Sequence, residues 1–219
     1  MEKRYLEHAL ITFSVLLGGE LVPTQRLQSQ IANTSVVAAD SGIRHALPLA
    51  LNPVLWVGDF DSTDNETKIR YNKVPTILFP SDKDMTDGEL AVNFALEKGA
   101  ERLILCGAFG GERTDHSLLH ITMAISLAEK NIPSFLTSGI EEGWPLIPGD
   151  YIFNFPEGSS FSIIAFSKIE GLSISGAKWS LHNASLDFGS SWTLSNQVYE
   201  SLSITLHSGT GILFIKPLL

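Results

Sequence analysis

The sequence predicts an α/β protein in which a mostly parallel, helix-covered sheet is followed by a small all-β sandwich or barrel. Three observations carry that expectation. From residue 9 to about 138, short apolar runs alternate with helical patterns. Between 138 and 150, glycine and proline interrupt every periodicity. Beyond 150 there are only short, often alternating runs rich in Ser, Gly, Ile and Phe, separated by turn residues. Strands that alternate with helices form parallel sheets covered on both faces, and closely spaced strands with turns form antiparallel ones.

The first apolar run, residues 9–17, follows Lys3 and Arg4 and has the outline of a secretory leader. Glu2, Glu7 and His8 break its basic part, Thr12 and Ser14 break its apolar part, and no small-residue cleavage site follows, so it reads as a first core strand. Further strands are expected at 35–39, 53–57, 76–79, 102–106 and 133–137. Residues 86–98 read as a helix, with Leu90 and Phe94 at helical spacing and Gly99 as a stop. Residues 115–130 read likewise, with Leu118, Leu119, Thr122, Met123 and Ile125 on one side. Gly139, Gly143, Pro145, Pro148 and Gly149 then mark a break with no element of its own. Strands resume at 151–155, 160–166, 172–174, 181–188, 199–206 and 211–215. The expected domains are therefore 1–138 and 139–219.

Composition narrows the function classes. A 219-residue chain with 44% hydrophobic residues can bury a core, which excludes a disordered or fibrous protein. A formal charge of −9 argues against a nucleic-acid binder, which needs a basic face for phosphates. No apolar run is long enough to span a bilayer, so no membrane partner is expected. The single cysteine, Cys106, lies in an apolar run, and a buried inert thiol in a reducing, cytoplasmic compartment is the reading.

Ligands of open α/β sheets bind beyond the carboxyl ends of the strands. Carboxylates fall at four successive strand ends: Asp40, then Asp59 and Asp61, then Asp82, Asp84 and Asp87, and finally Asp115. Two like charges about 4 Å apart repel by roughly 4 kcal/mol at an intermediate dielectric, so such a row suits a hard cation such as magnesium. Taken singly, Asp40, Asp61 or Asp64 reads equally well as a helix cap. Gly110-Gly111 opens the second helix, whose free amides favour phosphate, with Arg113 and Lys83 on either side. His116 falls in the first turn of that helix, where a neutral, hydrogen-bonded imidazole is expected.

Four segments taken together resemble the thiamine pyrophosphokinase family: Ala38-Ala-Asp-Ser-Gly42, Gly58-Asp-Phe-Asp-Ser62, Asp82-Lys-Asp-Met-Thr-Asp87 and Gly110-Gly-Glu-Arg-Thr-Asp-His116. In the β half, Gly176-Ala-Lys-Trp179 and Ser195-Asn196 are similar to that family's thiamine-side motifs. The resemblance implies an ATP- and Mg²⁺-dependent enzyme that moves a diphosphate onto the hydroxyl of thiamine, with AMP leaving. It implies Asp59, Asp61 and Asp84 as metal ligands and, with Asp87, as the catalytic set. Asp40, Lys83, Gly110, Gly111, Arg113, Asp115 and His116 would hold ATP. Trp179, Ser195 and Asn196 would hold thiamine, near the interface of a homodimer. Two residues depart from the family pattern: Ser41 stands where glycine is usual, and Glu112 is extra between Gly111 and Arg113. His120, often Asn in relatives, is given no role. The rival readings are a pyrophosphokinase for a pterin alcohol, a metal-dependent phosphohydrolase, and a non-catalytic nucleotide- or sugar-binding module.

Overall fold

The computed structural model describes residues 10–60, 63–78 and 84–218. Six strands run parallel: β1 (Thr12–Leu16), β2 (Ser35–Ala39), β3 (Leu55–Gly58), β4 (Thr76–Leu78), β5 (Arg102–Cys106) and β6 (Ser134–Thr137). Their spatial order is β6-β5-β1-β2-β3-β4. Between them lie α1 (Gln25–Ile31), a 3-10 turn (Asp40–His45), α2 (Asn65–Arg70), α3 (Asp87–Glu97) and α4 (Thr114–Glu129).

Each helix boundary has a local cause. Thr86 caps α3 in a capping box: its hydroxyl accepts from the Glu89 amide, while the Glu89 carboxylate accepts from the Thr86 amide at 2.9 Å. Gly99, at φ 86°, ends that helix as expected. Asp64 caps α2 through the Thr67 amide at 2.8 Å, whereas Asp40, at φ 42°, is the first residue inside its 3-10 turn and Ala39 holds the N-cap position.

Successive residues of the central strands enter opposite cores, as a period of two requires. Phe13, Val15, Val37, Ala39, Leu103 and Leu105 pack with Ala91, Val92, Ala124 and Leu127 of α3 and α4. Leu16, Val36, Ala38, Ile104 and Cys106 pack on the other face with Leu27 and Ile31 of α1 and with Ile43 of the 3-10 turn. Each fully buried aliphatic side chain contributes about 1.5–3 kcal/mol.

The β half pairs antiparallel. It comprises β8 (Gly149–Phe153), β9 (Ser160–Ala165), β10 (Ile169–Ala177), β11 (Leu181–Leu186), β12 (Asn196–Leu206) and β13 (Gly211–Lys216), which enclose their own core of Leu146, Ile163, Leu172, Ile204 and Leu213. One sequence expectation fails here. The stretch with no expected element contains β7 (Glu142–Leu146), which pairs antiparallel with both β6 and β13 and carries the sheet across the change of texture. Pro145 lies beyond the end of the β6 pairing, so its missing N–H breaks no bond to that neighbour. The strand is fixed by Trp144, whose ring stacks on Phe135 at 4.4 Å and whose indole N–H donates to Glu142 at 2.9 Å. Glu142 is 2% exposed and also accepts from Arg26 and from Gln30 (2.7 Å), which binds α1 to the same strand.

Burial pushes the Cys106 thiol up to about 12, against a small opposing hydrogen bond from Ser14. The thiol therefore stays protonated at any working pH. Thiol titration at pH 8 should find no reactive cysteine in the native protein and one after denaturation. A fast-reacting native thiol would contradict the buried placement.

Candidate active site

The strand order makes β1 the point where the winding reverses, with β2, β3 and β4 added on one side and β5 and β6 on the other. A crevice opens beyond the carboxyl ends of the strands at such a switch point. Here it is a cavity of about 240 Å³. Gly18 and Gly19 after β1, and Asp40 and Ser41 after β2, form one wall. Thr86 and Asp87 at the start of α3, and Gly110 to Arg113 with His116 at the start of α4, form the other.

The back of the cavity is main chain packed on main chain. A Cβ on Gly19 would lie 2.4 Å from the Phe109 carbonyl oxygen, one on Gly42 2.2 Å from that of Leu16, and one on Gly107 2.6 Å from that of Leu17. The Gly19 amide donates to the Gly107 carbonyl at 2.9 Å and the Glu20 amide to the Phe109 carbonyl at 2.8 Å. Behind this joint, the Arg44 guanidinium donates to the carbonyls of Gly18, Gly19 (2.9 Å) and Ser41 (3.2 Å). His45 Nε2 lies 2.9 Å from the Gly19 carbonyl oxygen. Sequence reasoning missed both residues, since a side chain that holds carbonyls carries no motif.

Gly110 and Gly111, at φ 68° and 80°, make the turn into α4. Arg113 is the N-cap of the 16-residue helix α4 and has no capping side-chain bond, and Arg113, His116 and Ser117 of this helix start line the cavity. The Arg113 guanidinium forms a two-pronged pair with Asp115, at 3.0 and 2.7 Å. That hydrogen bond holds the Asp115 carboxyl well below its ordinary range and raises Arg113. Asp115 thus meets Arg113 and lies outside the cavity lining. His116 lies edge-on to His120, with ring centroids 6.3 Å apart. His120 also lines the cavity, is 6% exposed, and has Nδ1 3.1 Å from the Ala108 carbonyl oxygen.

The expected row of carboxylates is only partly brought together. Asp40 and Asp87 share the cavity, whereas Asp59 lines a neighbouring hollow of about 520 Å³ with Trp56, Phe60 and Lys68. The two spaces adjoin, because a Cβ on Gly58 would lie 3.2 Å from the Asp40 Cα, and the Trp56 indole N–H holds the Asp40 carbonyl at 2.9 Å. Asp84 is exposed on the approach to α3. Asp61, Asp82 and Lys83 lie outside the described residues. Among the described residues no three metal-ligating side chains cluster. Magnesium needs no such cage, since it takes one or two carboxylates and completes its shell with phosphate oxygens and water.

On the β side, Trp179, Trp192, Leu194 and Asn196 line a hollow of about 670 Å³. Trp179 is 54% exposed, so it is not the core residue that a tryptophan in a sandwich usually is. Asn196 is 4% exposed, and its amide is bonded to the main chain of Trp179: Oδ1 accepts from the Trp179 amide at 3.1 Å and Nδ2 donates to its carbonyl at 2.8 Å. Ser195, at φ 60°, donates its amide to Ser162 Oγ at 3.0 Å and lies outside the lining.

Comparison with known proteins adds the following. Residues 27–136 match the family model "Thiamin pyrophosphokinase, catalytic domain", and residues 150–213 match "Thiamin pyrophosphokinase, vitamin B1 binding domain". The chain is 30% identical over 210 residues to the thiamine pyrophosphokinase of Bacillus subtilis (strain 168), covering 93% of this chain and 97% of that one. A crystal structure of the Bacillus subtilis thiamine pyrophosphokinase superposes with a TM-score of 0.84 at 28% identity, covering 95% of this chain and 100% of that one. The thiamin pyrophosphokinase structure from Geobacillus thermodenitrificans shares the fold, with a TM-score of 0.81 at 24% identity over 94% and 98% of the two chains.

Burial lowers the pKa of His45 and of His120, with the Arg44 charge adding to the effect at His45 and His116 adding to it at His120. The unfolded chain takes up these protons first, so their contribution to stability is complete above the ordinary value of 6.5 and is lost as pH falls below it. Urea midpoints measured from pH 8 to pH 5 should fall below pH 6.5 in the native sequence. The fall should be shallower in a His45→Gln/His120→Gln variant, and parallel profiles would reject the assignment.

Proposed function

The chain belongs to the thiamin pyrophosphokinase family, and on that premise we propose that it transfers the terminal diphosphate of ATP to the hydroxyl of thiamine, releasing AMP. The observation that carries the proposal is the switch-point cavity, whose lining brings Asp40 and Asp87 together with the glycine turn and the first turn of α4. A polyphosphate lies against that helix N-terminus and Arg113, where developing negative charge is stabilised. The two carboxylates repel that anion unless a cation lies between them. Asp40, Asp59 and Asp87, with Asp84 and Asp61, supply the hard oxygen donors that Mg²⁺ prefers. When bound, the ion lowers the charge repulsion that an incoming alkoxide oxygen meets. Asp40 or Asp87 takes the hydroxyl proton, since both face the cavity.

In this proposal residues 1–138 act on the nucleotide and 139–219 hold thiamine, with Trp179 as the stacking face for a cationic ring. The two cavities share no lining residue. Asn196 pairs with Phe161 of β9, and the path β9-β13-β7-β6-β5-β1 has five strand steps. At about 4.8 Å each, that is roughly 24 Å, more than a hydroxyl on the bound ring can bridge. A homodimer that brings the Trp179 hollow of one protomer to the nucleotide cavity of its partner removes the gap. A cytoplasmic location completes the reading; no helix among the described residues is long and apolar enough to cross a membrane. The comparisons lend no support to a pterin alcohol or a phosphohydrolase reaction.

The direct test incubates the protein with thiamine, ATP and Mg²⁺ and identifies both products. AMP with thiamine diphosphate is expected; ADP with thiamine monophosphate, or phosphate release without thiamine, rejects the reaction. Asp59→Asn should lower turnover by about 100-fold or more at unchanged stability, the scale of losing a charge-stabilising contact. Turnover equal to that of the native sequence, with an unchanged dependence on Mg²⁺ concentration, would remove Asp59 from the metal set. Trp179→Ala should raise the KM for thiamine about five- to thirtyfold and leave that for ATP unchanged. Equal shifts in the two constants would assign Trp179 to packing.

A further inference from the structure

The hollow beside Trp179 has a charge of the unexpected sign. Among the described residues that line it there is no carboxylate, and the one ionised group is the ammonium of Lys178. Lys178 Nζ stands 4.7 Å above the Trp179 ring centroid, and the tryptophan is 54% exposed. Buried Asn196 holds the main chain of Trp179 from both sides, which fixes the root of the ring. The Lys178 amide donates to the Gln197 carbonyl at 2.9 Å, which anchors the lysine main chain to the same strand. The stem of Lys178 is therefore fixed at its base and free at its tip.

A cation over an aromatic face occupies the position that a cationic ring takes when it stacks there. The two exclude each other, so a thiazolium must first displace the ammonium. Four flexible carbons let the ammonium swing aside while it stays close to whatever the ring carries. When the ring carries a neutral hydroxyl, the displaced charge gains nothing. When it carries a diphosphate, the ammonium gains a charge-assisted hydrogen bond.

We propose that Lys178 is a specificity-determining residue that holds the face of Trp179 against thiamine and, once displaced, favours thiamine diphosphate. The proposal rests on the reaction proposed above. It makes the site retain product in preference to substrate, so product competes with thiamine through this lysine.

Titration calorimetry of the full-length protein with thiamine and with thiamine diphosphate, in the native sequence and in Lys178→Met and Lys178→Arg, tests this. Lys178→Met should tighten thiamine about two- to fivefold and weaken thiamine diphosphate by a similar factor, the size of an exposed cation–π contact. Lys178→Arg keeps the charge and stacks on the ring at least as well, so it should keep the native order of the two affinities. The opposite signs matter, since a lysine that merely supported the fold would weaken both ligands together. Shifts in one direction, or none, overturn the proposal while leaving the thiamine reaction standing if the native protein still makes AMP and thiamine diphosphate. A native protein that binds neither ligand overturns both.

Discussion

Three lengths of main chain meet behind the switch-point cavity with no room between them for a side chain, and the rest of the site depends on that approach. Gly19, Gly42 and Gly107 each face a neighbouring carbonyl at a distance that no Cβ tolerates. The meeting requires β1, β2 and β5 to end level with one another, which in turn requires that their alternating residues fill both cores. Arg44 and His45 complete it by holding the Gly18, Gly19 and Ser41 carbonyls.

The distribution of charge follows from this arrangement. An acidic chain that handles an anionic substrate must separate attraction from repulsion within a few ångströms. Helix α4 and Arg113 supply attraction, and Asp40 and Asp87 lie in the same lining. Glu112, the extra residue in the glycine turn, also lines this space and adds a negative charge on the attractive side. Asp115 is spent on orienting Arg113, which explains why it stands apart from the other carboxylates.

Most of the fold was legible in the sequence because local rules decide it. The limits of α3 follow from Thr86, Glu89 and Gly99, and β2 and β5 coincide with their apolar runs. β7 was not legible, because a glycine and a proline in five residues look like a break and only the stacking of Trp144 on Phe135 shows a strand. At the site, residue types were legible and their partners were not. The motif that contains Asn196 was visible in the sequence, but its bond to the Trp179 main chain joins residues 17 apart, and spacing alone does not show that a residue lining the hollow also supports its neighbour. The separation of Asp59 from Asp87 is likewise a matter of which side of a loop each faces, and strand-end counting does not resolve that.

The join between the two halves is itself a strand, and this bears on how such a chain can be dissected. β7 gives its hydrogen bonds to β6 on one side and β13 on the other, its Trp144 covers Phe135, and its Glu142 neutralises Arg26 in the first helix. Cutting the backbone between β6 and β7 would bare an apolar sheet edge on one fragment and strand a buried acid on the other. The two halves are thus welded along a seam rather than strung on a tether, and neither fragment inherits a finished surface.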